Sequence, residues 1–466
     1  MFWKKFIGDR KFYRTVLSVA VPMMIQSGIT SFVNLLDNIM VGRLGTEEMS
    51  GVSIVNQFVF IFNLVVFGAL SAAGIFTAQF HGSRDTEGEK YTFRFKFIIT
   101  VLTGLAASLL FIVLDDELIS TFLHSSTVEG NLELTLSYGK QYLFVAIFGL
   151  VPYALSQVYS STLRETGEVI IPMVSSSTAV ITNAIFNLIF IFGHLGFPAM
   201  GVRGAALATV ISRFIELFIV IIYTHTHKAK HPFIIGAYSS LRIPKHLFNQ
   251  IVIRGLPLMA NEFFWSCAIT LRNQCYSTRG LEVVAAQNIQ STVCNLFSVI
   301  YMSIGSSIAI IVGNLLGAGK LEEAKDSDRK MMAFSVMVST FIAAIIIAFS
   351  QLFPSMYNTS DTVKSLAAQM IIITAISLPF CAFAHSAYFT LRSGGKVFIT
   401  LLFDSVFMWV LVVPLSLILA HFTNIGIIAL FAICQSTEII KVVFGYALLK
   451  KGTWVKQLVA DDNLKK

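Results

Sequence analysis

The sequence predicts an all-α polytopic membrane protein: twelve transmembrane helices in two six-helix bundles, related by a parallel pseudo-two-fold repeat. Three observations predict it. Hydrophobic residues make up 55% of the chain and charged residues only 13%, with mean hydropathy +0.74, too apolar for a soluble surface. Apolar blocks long enough to cross a bilayer recur from Val16 to Leu449. The chain also overlies itself. A shift of 235 residues carries Pro22 onto Pro257, Asn38 onto Asn273 and Gly45 onto Gly280, and continues without a gap through Ser71 on Ser306 to Gly82 on Gly317.

Taken in order, the predicted spans are 15–41, 51–80, 92–114, 136–162, 168–193, 203–223, 249–277, 283–315, 330–353, 365–391, 396–420 and 424–449. The first follows a basic arm, but no small-residue cleavage site follows a short apolar core, so it reads as a retained span rather than a signal peptide. Lys and Arg decide the sides. The N-terminal arm carries Lys4, Lys5, Arg10, Lys11 and Arg14, and the second connection Arg84, Lys90, Arg94 and Lys96. Lys228, Lys230, Arg242 and Lys245 lie in the central connection; Lys320, Lys325, Arg329 and Lys330 lie in the next on that side. Opposing connections hold only Arg43, Arg203, Arg279 and Lys364, and LDDELISTFLHSSTVEGNLE is acidic. The positive-inside rule therefore puts both termini in the cytoplasm.

Six spans per half make both halves enter the bilayer from one side, which is a parallel repeat about the membrane normal. Later segments agree at smaller shifts: Leu163-Arg164 falls on Leu391-Arg392, and Gly204 to Glu216 on Gly426 to Glu438. The predicted domains are an N-terminal lobe (1–223), an interlobe linker (224–248), a C-terminal lobe (249–449) and a cytoplasmic tail (450–466). The formal charge of +8 sits in alternate short loops, which argues against nucleic acid. The five cysteines are scattered through apolar blocks without metal spacing, as buried free thiols. His225, His227 and His231 in the linker could bind a metal, though surface histidines are the plainer reading. No cofactor is expected; membrane lipid is a partner, and the chain is expected to be a monomer.

An ionisable group within hydrocarbon needs a partner or a job. Asp37 lies about five residues from the outer end of the first span. Asn183 and Asn187 share a face of the fifth at i,i+4 spacing, and Thr209 enters the same level from the sixth. One carboxylate, two amides and a hydroxyl are suitable oxygen donors for a small cation, so these four are the metal ligands if the ion is Na+. They could equally hold a proton on Asp37, or form a structural network that fixes helix packing. The second half does not copy this set, since Asp37 falls on Arg272. Its candidates for substrate binding are Glu262, Trp265, Arg272 and Asp404. A buried pair of Glu262 with Arg272 or another base is the structural alternative. Arg213 with Glu216, and Glu438 with Lys441, have i,i+3 spacing and opposite sign, which reads as local neutralisation. Met23, Met24, Phe58, Phe62 and Met302 would suit a large apolar cavity.

With these residues in place, a family resemblance is carried by NLLDNIMVGRLG at 34–45, AQFHG at 78–82, GNLLGAGK at 313–320 and TNAIFNLIFIFGHLGFPAMGVRGAALAT at 182–209. The chain resembles the multidrug and toxic compound extrusion (MATE) transporters over nearly all of 12–449. The resemblance implies a two-lobed antiporter of the bacterial cytoplasmic membrane. It would export small amphipathic organic cations or drugs against inward H+ or Na+ by alternating access. It implies cation coupling at Asp37, with the partner positions on Asn183, Asn187 and Thr209. Where the family often has an acid, Asn187 removes one charge, and Glu262 lies about three residues nearer its proline than the second-lobe pattern has it. Both departures point to an atypical branch. A lipid-linked saccharide or lipid flippase of the same superfamily is the alternative, but such proteins favour a strongly cationic cleft. No pore-lining charge ring argues for a channel. No nucleophile, phosphate loop or metal-ligand set accompanies His385 and Asp404, so no enzyme is expected.

Overall fold

The computed structural model describes residues 5–125 and 131–460. Lys4 of the basic arm, residues 126–130 of the acidic connection and residues 461–466 of the predicted tail lie outside the described residues. The long helices are α1 (Arg10–Gly42), α2 (Thr46–Gly82) and α3 (Thr86–Val113), then, after α4 (Asp115–Ser125), α5 (Leu132–Glu165), α6 (Ile170–Phe192) and α7 (Val202–Thr226). The second half supplies α8 (Lys245–Ser277), α9 (Leu281–Gly317), α10 (Leu321–Ala348), α11 (Asp361–Ser393), α12 (Val397–Phe422) and α13 (Ile427–Lys450).

Local sequence explains where these helices begin and bend. Asp85 caps α3 by accepting from the Gly88 amide, Asn131 caps α5 at the Glu133 and Leu134 amides, and Ser360 caps α11 at Val363. Gly193 ends α6 at φ 75°, the left-handed conformation glycine adopts without strain. A 3₁₀ turn at Ile147–Gly149 interrupts α5 just before Pro152, and α1, α8 and α11 carry Pro22, Pro257 and Pro379 inside them. In α12, Leu402–Val406 and Met408–Val412 wind as π-helix, a widened turn that leaves backbone groups to be satisfied by neighbours.

Among the described residues, eleven helices are long and apolar enough to cross a membrane. The chain is thus an all-α polytopic membrane protein. The helix outside that group is α8. It is as long as the others, but Arg254, Asn261, Glu262, Arg272 and Asn273 lower its hydropathy.

The chain forms two compact units. The first-half unit holds Ile25–Thr77 and Asp85–Ile251. Its core runs through Val55, Phe58, Phe93, Leu143, Val158 and Val220. Residues after α7 belong to it: Arg94 donates to the carbonyls of Ala237, Gly236 and Arg242 at 2.8–3.3 Å, and Phe233 packs on Phe93. The linker is thereby held to α3 rather than left as a spacer. Phe58 and Phe62, expected to line a cavity, are buried instead, because they fill the contact with Phe111 and Tyr153.

The second-half unit runs from Val252 and takes in Ala78–Arg84 and the chain before Met24. Val16 of α1 joins the core of Ile308, Val312, Met331 and Leu391. The two repeat-related motifs ending α2 and α9 meet in this unit backbone to backbone. A Cβ on Gly82 would strike the Asn314 carbonyl, and one on Gly317 the Gln79 carbonyl. Only glycine permits that approach. The segment after α13 seals the junction: the Gln79 amide nitrogen donates to the carbonyls of Ser393 and Lys456, its oxygen accepts from the Leu458 amide, and Gln457 donates to the Gly317 carbonyl. Trp454 and Leu458 are buried.

Candidate functional site

Most of the polar residues singled out in the sequence fall in two clusters among the long helices, one in each unit. In the first-half unit, α6 presents Asn183 and Asn187 one turn apart on a single face. Asn187 Nδ2 donates to Asp37 Oδ1 of α1 and to Asn183 Oδ1 at 3.2 Å, and Asn183 Nδ2 donates to Thr209 Oγ1 of α7 at 3.1 Å. Thr209 passes its own hydrogen to the Ala205 carbonyl. All four residues singled out in the sequence thus form one chain of hydrogen bonds across three helices. Asn187 is fully buried and its Oδ1 has no protein partner. As oriented, a carboxylate oxygen of Asp37 and the spare Asn187 oxygen are the acceptors left for a proton or a small cation.

Two residues join this cluster that the sequence did not single out. Tyr142 of α5 is buried, stands beside Thr209, and its hydroxyl lies 3.4 Å from Asn56 Oδ1. Arg213, one turn along α7 from Thr209, is the cation that acts on Asp37. Its guanidinium pairs with Glu216 at 3.2 Å, as the i,i+3 spacing anticipated, and lies over the Tyr153 ring at 4.6 Å. Nothing separates Tyr142 in sequence from the other twelve tyrosines, since its role depends on how α5 is rotated. About one turn from Asp37, Val41 opens onto a cavity of about 350 Å³ whose polar lining is Ser53, Asn56 and Gln57.

The second-half cluster is built on α8, α11, α12 and α13. Asp404 Oδ1 takes a 2.5 Å bond from the Lys441 ammonium, and Asp404 Oδ2 accepts from Asn261 Nδ2 at 3.2 Å. Lys441 therefore serves Asp404 rather than its i−3 neighbour Glu438, where the sequence had placed it. Asn261 also takes up the loose backbone of the π-helical stretch. Its Oδ1 accepts from the Ser405 amide at 3.3 Å, and the one hydrogen of the Ser405 hydroxyl is shared between that oxygen at 2.8 Å and the Asn261 carbonyl at 2.6 Å. Glu262 accepts from the Tyr388 hydroxyl at 3.1 Å, with Arg392 as the cation acting on it.

Of the residues suggested for substrate binding, Glu262 and Asp404 are brought together through Asn261, whereas Trp265 and Arg272 stand apart. Trp265 packs on Met408 and Val412, and Arg272 lies over the Tyr276 ring at 5.9 Å. Arg272 is ten residues beyond Glu262, about 15 Å along the helix, so of the bases considered for Glu262 it is another, Arg392, that acts on it, beside the Tyr388 hydroxyl. Among the described residues no group of three His, Cys, Asp or Glu could hold a metal ion. The linker histidines are engaged with tyrosines: His225 reaches Tyr159 at 3.2 Å, and His227 stacks on Tyr223.

Comparison with known proteins agrees with this architecture. The MatE family model matches residues 22–189 and 257–418, one stretch in each half. A probable multidrug resistance protein NorM of Thermotoga maritima is 23% identical over 447 residues, covering 96% of this chain and 94% of its own. A probable multidrug resistance protein YoeA of Bacillus subtilis is 22% identical, covering 90% of this chain and 89% of its own. Among solved structures, an outward-facing multidrug resistance MATE family transporter of the MOP superfamily superposes with TM-score 0.84 at 19% identity, over 96% of this chain and 98% of its own. A crystal structure of MATE in complex with MaL6 does so with the same score and identity, over 97% and 98%. The chain belongs to the MatE family, and is a MATE-type secondary transporter of small organic compounds rather than an enzyme.

Proposed function

We propose that the chain is an antiporter that exports amphipathic organic cations or drugs in exchange for inward H+ or Na+, by alternating access, across a bacterial cytoplasmic membrane. The observation that carries this reading is the Asp37 cluster: a carboxylate whose hydrogen-bond partner among the described residues is a neutral amide, with an unused oxygen on Asn187. A proton or Na+ arriving at Asp37 would change the bonds tying α1 to α6 and so favour one state. Such an ion drives the cycle only if it binds the two states unequally. If it is Na+, its ligands would be Asp37, Asn183, Asn187 and Thr209. Glu262 and Asp404, joined through Asn261, would receive the substrate, with Trp265 and Arg272 reached only by a guest that extends beyond that cluster.

The finer topology belongs to the same proposal. It has twelve spans with α8 as the seventh, two six-helix bundles related by a parallel pseudo-two-fold, lobes at 1–223 and 249–449 around a linker at 224–248, a tail at 450–466, cytoplasmic termini and a monomeric chain. The ungapped repeat and the alternation of basic loops support it. The polar residues of α8 are compatible with a span because Asn261 and Glu262 have partners within their unit.

The test is substrate movement in proteoliposomes with Na+ and pH gradients imposed independently. One gradient should drive accumulation in the wild type, and Asp37→Asn should lose that drive while still inserting and folding. Full gradient-driven transport by Asp37→Asn would end the coupling role of Asp37.

A further inference from the structure

A further buried carboxylate lies outside both clusters. Asp328 sits two turns into α10, in a stretch whose charges suggest a connecting loop, yet it is only 4% exposed. The spacing of Ala324, Asp328 and Met331 explains its burial: it lies on the inner face of the helix, among residues 0–4% exposed. Its one protein partner is the Thr390 hydroxyl of α11. The charges around it are engaged elsewhere. Asp326 and Lys330 pair at 2.5 Å, Lys320 pairs with Glu323, and Lys325 pairs with Glu322. On α11, Tyr388 is bonded to Glu262, and Arg392 acts on Glu262 and lies over the Phe389 ring. Arg329, the adjacent residue, is exposed and is the cation that acts on Asp328.

The hydrogen count at Thr390 is informative. Its single hydroxyl hydrogen faces two acceptors, Asp328 Oδ1 and the Ser386 carbonyl at 2.9 Å. A carbonyl cannot donate. Each contact has a hydrogen of its own when Asp328 carries one and gives it to Thr390, which then gives its own to Ser386. An ionised Asp328 would leave the two acceptors to share the one hydroxyl hydrogen, with a charge buried beside a neutral donor.

The surroundings continue the polar line. Ser335 and Ser339 follow Asp328 on the same face of α10 at helical spacing, and Ser386 precedes Thr390 by one turn on α11. All three are no more than 1% exposed, and their hydroxyl oxygens have no protein partner. Met331 and Met332 of α10 and Ala384 and Ala387 of α11, neighbours of these serines in sequence, share one core. Hydroxyls in this position suit bridging water, and so a path for a proton.

We infer that Asp328, with Thr390, forms a second proton-binding site, in the second-half unit, and that Ser386, Ser335 and Ser339 line its path to water. In release, the Asp328 O–H bond breaks, the proton passes to a water along that line, and the carboxylate keeps the electron pair. Uptake reverses it. The site is independent of the antiport reading, since it concerns protonation alone.

Infrared difference spectroscopy of the purified full-length protein between acidic and alkaline pH tests it. A carboxylic-acid carbonyl band should be present at the acidic end and lost at the alkaline end. Exposed carboxylates also protonate at the acidic end, so the component read is the carbonyl intensity that remains after those have ionised; it should persist in the Asp37→Asn, Glu262→Gln double variant and be absent when Asp328→Asn is added. A spectrum unchanged by Asp328→Asn would overturn the assignment, as would a band that survives at every pH. Should Asp328→Asn fail to fold, Thr390→Val serves instead: removing the hydroxyl partner should move the band to higher wavenumber, and an unmoved band would overturn the proposal equally.

Discussion

Asp37 and Asp404 are both carboxylates set among long helices, one in each unit, and they are held by opposite means. Asp37 is bonded to a neutral amide, with its nearest cation already paired to Glu216. Asp404 has the Lys441 ammonium at 2.5 Å and an amide on its other oxygen. The first carboxylate has room for a mobile positive charge; the second has a resident one. The contrast separates a group suited to exchange from one suited to bracing, although both are partly buried acids in a polytopic chain. It also ranks the substrate candidates. Glu262, bonded to a tyrosine hydroxyl, is the acid of the second cluster better able to meet a cationic guest.

The contrast can be broken most forcefully at Lys441. Lys441→Met should leave Asp404 buried without its cation and destabilise the protein by about 3–5 kcal/mol. Adding Asp404→Asn should recover most of the loss, which thermal unfolding of the purified variants would read. If the single and double variants melt alike, the pair is not a brace. Next in size, Asn261→Ala removes the groups that hold Asp404 and the Ser405 backbone, and should cost about 1–3 kcal/mol without abolishing transport. Hydrogen exchange confined to the middle of α12 would localise that loss, and unaltered exchange there would argue against it. A third variant makes the first cluster more like a charged site. Asn187→Asp adds a second carboxylate beside Asp37 and should raise the Na+ dependence of transport, measured as sodium binding and sodium-driven uptake; identical sodium response in both proteins would deny the cluster a sodium ion and leave H+ as its ion. The smallest effect is expected for Glu262→Gln, a few-fold loss for cationic substrates with neutral ones spared. Equal losses for both would make Glu262 structural.

The first cluster was legible because its logic is local: Asn183 and Asn187 share a face by spacing, and an acid within an apolar run stands out whatever its neighbours are. The ends of the long helices were legible for a similar reason, since apolar runs stop where glycine, proline or charge begins. Pairings across the fold were not. Lys441 looked committed to Glu438 three residues away, but its partner is 37 residues distant in sequence. Asn261 gave no sign of bracing a π-helix, because the widened turn is a property of α12. Asp328 was hidden by composition. KLEEAKDSDRK reads as a loop, whereas α10 already begins at Leu321 and turns one face of that charged stretch inward.

The chain beyond α13 has a practical consequence. Since Trp454 and Leu458 are buried and Gln457 holds the Gly317 carbonyl, the polypeptide's last turns are structural parts rather than spare length. Truncating at Lys450 to tidy an expression product, or inserting a reporter at Gly452, should loosen the glycine crossing between the two motif ends. Fusions attached after Ala460 should leave it intact.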